Sequence, residues 1–179
     1  MEAMGGRAAF KEIKKDKEKA FNCIVEEFSE RIYNLARLYT KDYVLSEDIT
    51  QEVLVKIYRY LDNFKGESSI YTWIYRITIN TCKNIVKKEE KYKKIENVDF
   101  IKEEGYEEEI VERLDKENLI NALENIKNEY KTVIYLYYYE ELKISEISEI
   151  LDKREGTVKT WLKRGKTALE KELLKDGRK

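Results

Sequence analysis

The run Ile144-Ser145-Glu146-Ile147-Ser148-Glu149-Ile150-Leu151-Asp152-Lys153-Arg154-Glu155-Gly156-Thr157-Val158-Lys159-Thr160-Trp161-Leu162-Lys163-Arg164 decides the fold. Ile144, Ile147 and Leu151 recur at helical spacing and form the inner side of a short helix, with the small Ser148 where a second helix must cross closely. Asp152-Lys153-Arg154 is short enough for a tight turn. From Gly156 to about Leu174 a longer helix turns Val158, Leu162, Leu169 and Leu173 inward and Lys159, Thr160, Lys163, Arg164 and Thr167 outward. This is the plan of a helix-turn-helix, which lays its second helix in the major groove. From there Lys and Arg reach phosphates or guanine edges, and Thr160 reaches a base edge or a thymine methyl. Composition alone equally allows a helical hairpin with solvated charges. The particular run of residues favours DNA binding.

The charge distribution around this motif supports the same reading. The whole chain carries a net charge of -1, unlike most general DNA binders. Yet residues Lys153 to Lys179 hold ten basic side chains against four acidic ones, a local charge of +6. Asp99 to Glu112 holds seven acids against Lys102, a local charge of -6. Lys87 to Asp115 is charge-rich with few regularly spaced apolar residues, which predicts a solvated linker. It divides the chain into a residue 1–19 extension, a domain at 20–88, an acidic linker at 89–114 and a second domain at 115–175. Two domains joined in this way are not expected to be held at fixed spacing.

Composition sets the class. The 179 residues are 40% charged and lack proline, which suits helices with wide solvated faces and makes strand-rich architectures unlikely. The fold class is all-α. Histidine is absent, and Cys23 and Cys82 stand apart without metal-ligand spacing, so the residues suggest no metal, no cofactor and no Cys-His nucleophile. Both cysteines read as reduced core thiols. No apolar run approaches the roughly 20 residues that span a bilayer, and no signal peptide is evident, so a cytoplasmic chain without membrane insertion is expected.

In the first half, Phe21, Ile24, Val25, Phe28, Ile32, Leu35, Ala36 and Tyr39 follow helical spacing. Ser46, with Glu47 and Asp48 after it, reads as the N-cap of a helix through Ile49, Val53, Leu54, Ile57 and Leu61. Asn63-Phe64-Lys65-Gly66 stops that helix, and Ser68 or Ser69 can cap the next, from about Ile70 to Lys88. Beyond the linker, Leu119, Leu123 and Ile126 make one helical face, and Tyr130, Val133, Ile134 and Tyr137 the next.

The helix from Ile70 is apolar on two sides and keeps one polar stripe: Ser69, Thr72, Arg76, Asn80, Lys83 and Lys87, at steps of three or four. Phe64, Tyr71 and Trp73 flank it, aromatic groups of the kind that stack on unpaired bases. A basic stripe with an amide and aromatics suits single-stranded or partly melted nucleic acid. Trp73 is assigned to the core, since tryptophan more often packs there. Arg76, Asn80 and Lys83 are assigned to DNA.

Taken together, these residues resemble the extracytoplasmic-function sigma family of bacterial RNA polymerase. The first domain is similar to its region 2 in Ser46 to Val53, in Tyr58, Leu61, Phe64, Lys65 and Gly66, in Ser68 to Ile77, and in Asn80-Thr81-Cys82. The second is similar to its region 4 in Ile144 to Leu151, Gly156 to Thr160 and Leu162-Lys163-Arg164. The resemblance implies that Asp48, Gln51 and Glu52 dock on a coiled coil of core RNA polymerase. It implies that Lys65, Ser69, Tyr71, Arg76, Asn80 and Lys83 open the downstream promoter box, with one base flipped out at a cost of a few kcal/mol. It further implies that Thr157, Lys159, Thr160, Lys163 and Arg164 read the upstream box, that the linker occupies a basic channel of the polymerase, and that an anti-sigma factor is a partner. The chain departs from the family where Asp152-Lys153-Arg154 replaces a turn of Gly, an apolar residue and Ser. It departs again at Trp161, where Arg is common.

A competing function is a stand-alone helix-turn-helix regulator with a helical sensing or dimerisation domain. That leaves Asp48-Gln51-Glu52 and Arg76-Asn80-Lys83 without a purpose. A helical adaptor for protein alone does not suit the +6 tail. An enzyme is not expected, because no nucleophile-base pair, metal-ligand cluster or phosphate-cradling glycine loop is present.

Overall fold

The computed structural model describes residues 6–96, 122–123 and 125–176. Among them the chain is built of helices and short connections, as the all-α reading requires. In the first half these are α1 (Gly6–Lys15), α2 (Lys17–Thr40), α3 (Tyr43–Tyr60) and α4 (Ile70–Glu96).

Each start has a local cause. Asp16 caps α2 by accepting from the Lys19 amide at 3.0 Å, and Lys41 ends it in the left-handed region at φ 59°. Asp42, not Ser46, caps α3, accepting from the Leu45 amide at 2.9 Å. Ser46 lies buried within the helix, and its hydroxyl meets Thr40 Oγ1 at 2.7 Å. The first turn therefore begins three residues earlier than the Ser-Glu-Asp pattern suggests, because Asp42 offers an equally good cap sooner. Ser69 caps α4 as expected, accepting from the Thr72 amide at 3.0 Å. Between α3 and α4 a 3₁₀ turn at Leu61–Asn63 leads into buried Phe64 and into Gly66 at φ 71°.

The first core joins Phe28, Ile32, Leu35 and Ala36 of α2 to Ile49, Val53 and Ile57 of α3 and to Ile74, Tyr75, Ile79 and Cys82 of α4. Cys82 is a core thiol as expected, but Cys23 is exposed: it is one position short of the stripe carried by Ile24 and Phe28. The α4 helix continues past Lys88 to Glu96. Residues 97–114 of the linker, and Leu119 of the helix expected next, lie outside the described residues, as do residues 1–5 of the extension; Ala122 and Ile126 are buried.

The second half comprises α5 (Asn128–Ile134), a turn of π-helix at Tyr135–Tyr139, α6 (Ile144–Leu151) and α7 (Glu155–Asp176). Val133 and Ile134 are buried, but Tyr137, expected inward at three residues from Ile134, is exposed. The wide turn bonds the Glu140 amide to the Tyr135 carbonyl at 3.1 Å, and this change of period rotates Tyr137 outward. Leu173 is likewise exposed, since seven-residue α5 is only about 10 Å long and cannot cover the end of α7.

The two halves do not hang free of one another. Val133, Leu136, Ile147, Ile150, Leu151 and Val158 belong to one core cluster with the first half, α6 packs on α4 and α5 on α2. The expectation of unfixed spacing considered only the linker and missed the apolar seam between the domains.

Candidate nucleic-acid interface

The helix-turn-helix is assembled from backbone geometry that Asp152 makes possible. Asp152 closes α6 at φ 51° and ψ 52°, its amide bonding to the Glu149 carbonyl at 3.4 Å. Ser148 Oγ donates to the Lys153 carbonyl at 2.5 Å and pins the turn. The Val158 amide then bonds to the Arg154 carbonyl at 3.2 Å, and α7 begins at Glu155. At Gly165 an added Cβ would lie 3.0 Å from Ile134 Cδ1 and 3.2 Å from Tyr130 Cβ, so only glycine lets α7 cross α5 this closely. Val158 is fully buried, while Lys159, Thr160, Lys163 and Arg164 are exposed and Thr157 is half-buried. Thr160 Oγ1 donates to the Gly156 carbonyl at 2.8 Å, which leaves its oxygen lone pairs and methyl for a base edge. Lys159 is tethered to Glu155 at 3.4 Å, a surface pair that a phosphate can displace.

On α4, Arg76, Asn80, Lys83 and Lys87 emerge exposed along one side. Thr72 does not: it is buried, its hydroxyl 2.9 Å from that of Ser69, so the open stripe begins at Arg76. Lys65 is exposed in the preceding loop, and Ser69 is half-buried in its capping role. Tyr71 turns toward α2, donating its hydroxyl to the Glu27 carboxylate while its ring meets Phe28 edge-on at 4.7 Å. Burial and Glu27 push the Tyr71 phenol up to about 12. Trp73 is half-buried against Phe64, ring centres 5.4 Å apart.

On α3, Asp48, Gln51 and Glu52 are exposed within little more than one turn. Lys56 steadies this patch from behind, pairing with Glu52 at 2.5 Å and donating to Thr81 Oγ1 of α4 at 3.1 Å. The acidic patch is thereby tied to the helix that bears the basic stripe.

The family model described as Sigma-70 region 2 matches residues 24–92, and that described as Sigma-70, region 4 matches residues 116–169. The chain is 30% identical over 173 residues to the ECF RNA polymerase sigma-E factor of Escherichia coli K12, covering 90% of each chain. The chain belongs to the ECF sigma factors. It is 28% identical to the sigma-E factor of Haemophilus influenzae, across 96% of this chain and 97% of that one. Solved structures share the fold. The sigma factor RpoE in complex with the anti-sigma factor NepR, from Bartonella quintana, matches with a TM-score of 0.76 at 21% identity, over 88% of this chain and 98% of that one. CnrH in complex with the cytosolic domain of CnrY matches with a TM-score of 0.73 at 17% identity, over 96% and 99%.

As an ECF sigma factor, the chain is a regulatory subunit that binds core RNA polymerase and directs promoter recognition and transcription initiation. No helix among its described residues is long and apolar enough to cross a membrane. What the sequence did not reveal is how this sigma factor joins its halves. Arg31 meets Glu140 at 2.9 Å, Tyr39 meets Thr132 at 2.8 Å, and Arg76 donates to the Glu149 carbonyl at 2.6 Å. The partners of the first pair are 109 positions apart, and no local signal links them.

Proposed function

We propose a division of labour among three surfaces of this sigma factor. Asp48, Gln51 and Glu52 dock α3 on core polymerase. Lys65, Ser69, Arg76, Asn80 and Lys83 hold the separated strand of the downstream promoter box, with Tyr71 fixing the loop-proximal turn against α2. Thr157, Lys159, Thr160, Lys163 and Arg164 read the upstream box from α7.

The observation that carries this reading is the concurrence, in one chain, of an open basic stripe on α4 and an open basic face on a helix-turn-helix. A regulator of the ordinary helix-turn-helix kind needs the second surface and has no use for the first. The work is positioning and charge complementarity throughout, so the chain performs no catalysis and needs no cofactor. It belongs in the cytoplasm with the polymerase. Two structures of similar fold are bound to CnrY and NepR, and an anti-sigma factor is the corresponding partner here.

Abortive transcription by core polymerase on a promoter library, with and without the chain, tests the proposal. Initiation at a discrete pair of boxes only when the chain is present is the expected result. Initiation that is independent of the chain would refute it.

A further inference from the structure

The second half reaches into the first through one carboxylate. Glu140 follows the π turn directly, and its side chain is 2% exposed although it is charged. One oxygen, Oε2, accepts from Arg31 of α2 at 2.9 Å. The other, Oε1, is buried without a hydrogen-bond partner, as are the hydroxyls of Tyr75 from α4 and Tyr135 from the π turn. Both phenols nevertheless lie in the field of the carboxylate: burial, reinforced by Glu140, raises each of their pKa values well above the ordinary phenol range. Burial works against the Arg31 charge, but Tyr75 and Glu140 outweigh it and raise the guanidinium pKa. A buried carboxylate facing a single guanidinium is costly to strand, so this contact resists loss of either partner.

The same closure has a consequence at the basic stripe. Arg76 is held by the Glu149 carbonyl of α6. Lys83 and Lys87 line a cleft of about 460 Å³ whose opposite wall includes Leu151, Lys153 and Trp161 of the second half. A strand laid along α4 would therefore meet the helix-turn-helix domain before it met the whole stripe.

We propose that Glu140 is an intrachain latch, seated on Arg31 beside Tyr75, which holds the second half over the α4 stripe and withholds Arg76, Lys83 and Lys87 from nucleic acid until the halves part. This rests on the assignment of the stripe to strand capture. Opening would break one buried ion pair and free Arg76 in the same movement. The weak contacts, Tyr39 with Thr132 and Arg76 with Glu149, would follow.

The test uses the full chain with Glu140→Lys, which sets two cations face to face, and the double exchange Arg31→Glu, Glu140→Arg, which restores the pair in reverse. Small-angle scattering reports closure, and anisotropy of a fluorescent single-stranded oligothymidylate reports access to the stripe. Glu140→Lys is expected to enlarge the radius of gyration and tighten oligothymidylate binding by about tenfold or more, since it strands a buried charge. The double exchange is expected to return both towards wild type, and Arg76→Ala in the Glu140→Lys background to remove the gain. Glu140→Gln, milder in charge and nearly equal in shape, serves if Glu140→Lys loses its helical circular dichroism. A folded Glu140→Lys or Glu140→Gln chain as compact as wild type would overturn the latch. Opening without tighter binding would overturn the masking, and promoter opening by an Arg76→Ala, Asn80→Ala chain in the polymerase complex would show whether the strand-capture assignment fell with it.

Discussion

Asp152 shows how a single residue can keep a motif intact where its expected composition is lost. In the left-handed region an L-residue gives up roughly 1–2 kcal/mol, less for Asp than for most. Asp152→Gly is thus expected to stabilise the chain by about 1 kcal/mol, while the β-branched Asp152→Val should cost more than that, both read from urea denaturation. The turn itself was legible in the sequence, because Asp tolerates that geometry. Cys82 illustrates what the apolar pattern resolves and what it leaves open. It is fully buried, and burial pushes its thiol up to about 12 from the ordinary 9.0. The unfolded chain releases that proton first, so the contribution of Cys82 to stability is complete below pH 9 and declines as pH rises from about 9 to about 12. Thiol titration of the native chain should find Cys23 reactive and Cys82 silent until denaturant is added. Rapid reaction of both would contradict the packing. Cys23 could not be told from Cys82 by type, only by its offset from the apolar stripe.

Among the elements, α7 and α3 carry the clearest functional expectations. Arg164 protrudes beside Thr160 and Lys163. Arg164→Ala should cost about 1–3 kcal/mol and relax preference at one position of the upstream box if it reads a guanine. Selection from a randomised promoter library decides this, and a uniform loss across all sequences would make Arg164 a phosphate contact. On α3, reversing Asp48 and Glu52 to Lys should abolish binding to core polymerase while leaving the helical circular dichroism unchanged. Undiminished binding in a pull-down with core enzyme would dismiss that surface. Helix positions were legible wherever a cap and an apolar period agreed, as at Ser69 and from Val158 onward. They were misread at Ser46, where two capping residues compete, and at Tyr137, where the period changes within a helix. A period of 3.6 read through a π turn assigns every later side chain to the wrong face.

At the scale of the molecule, the joining of the two halves was the part the sequence concealed. The contacts that make it lie on either side of the acidic linker, and each partner is unremarkable in its own segment. The closed arrangement gives the free chain a reason to bind DNA weakly, since the -6 of the linker opposes non-specific attraction and the stripe faces the second half. Within the polymerase complex the Arg76→Ala, Asn80→Ala chain should still form the closed promoter complex, which depends mainly on α7, yet open it poorly. Permanganate reactivity of unpaired thymines measures that opening, and a normal pattern would place strand capture on another helix.

The π turn at Tyr135–Tyr139 holds one residue more than an α-helical turn needs, and Glu140 comes directly after it. Each residue of an α-helix advances the side chains by about 100°. Deleting one tyrosine from that turn would let the helix close into ordinary register, at little local cost, while swinging the following carboxylate about 100° away from Arg31. Sequence length in this short segment therefore acts as an angular setting, one that no substitution at Glu140 itself could reproduce.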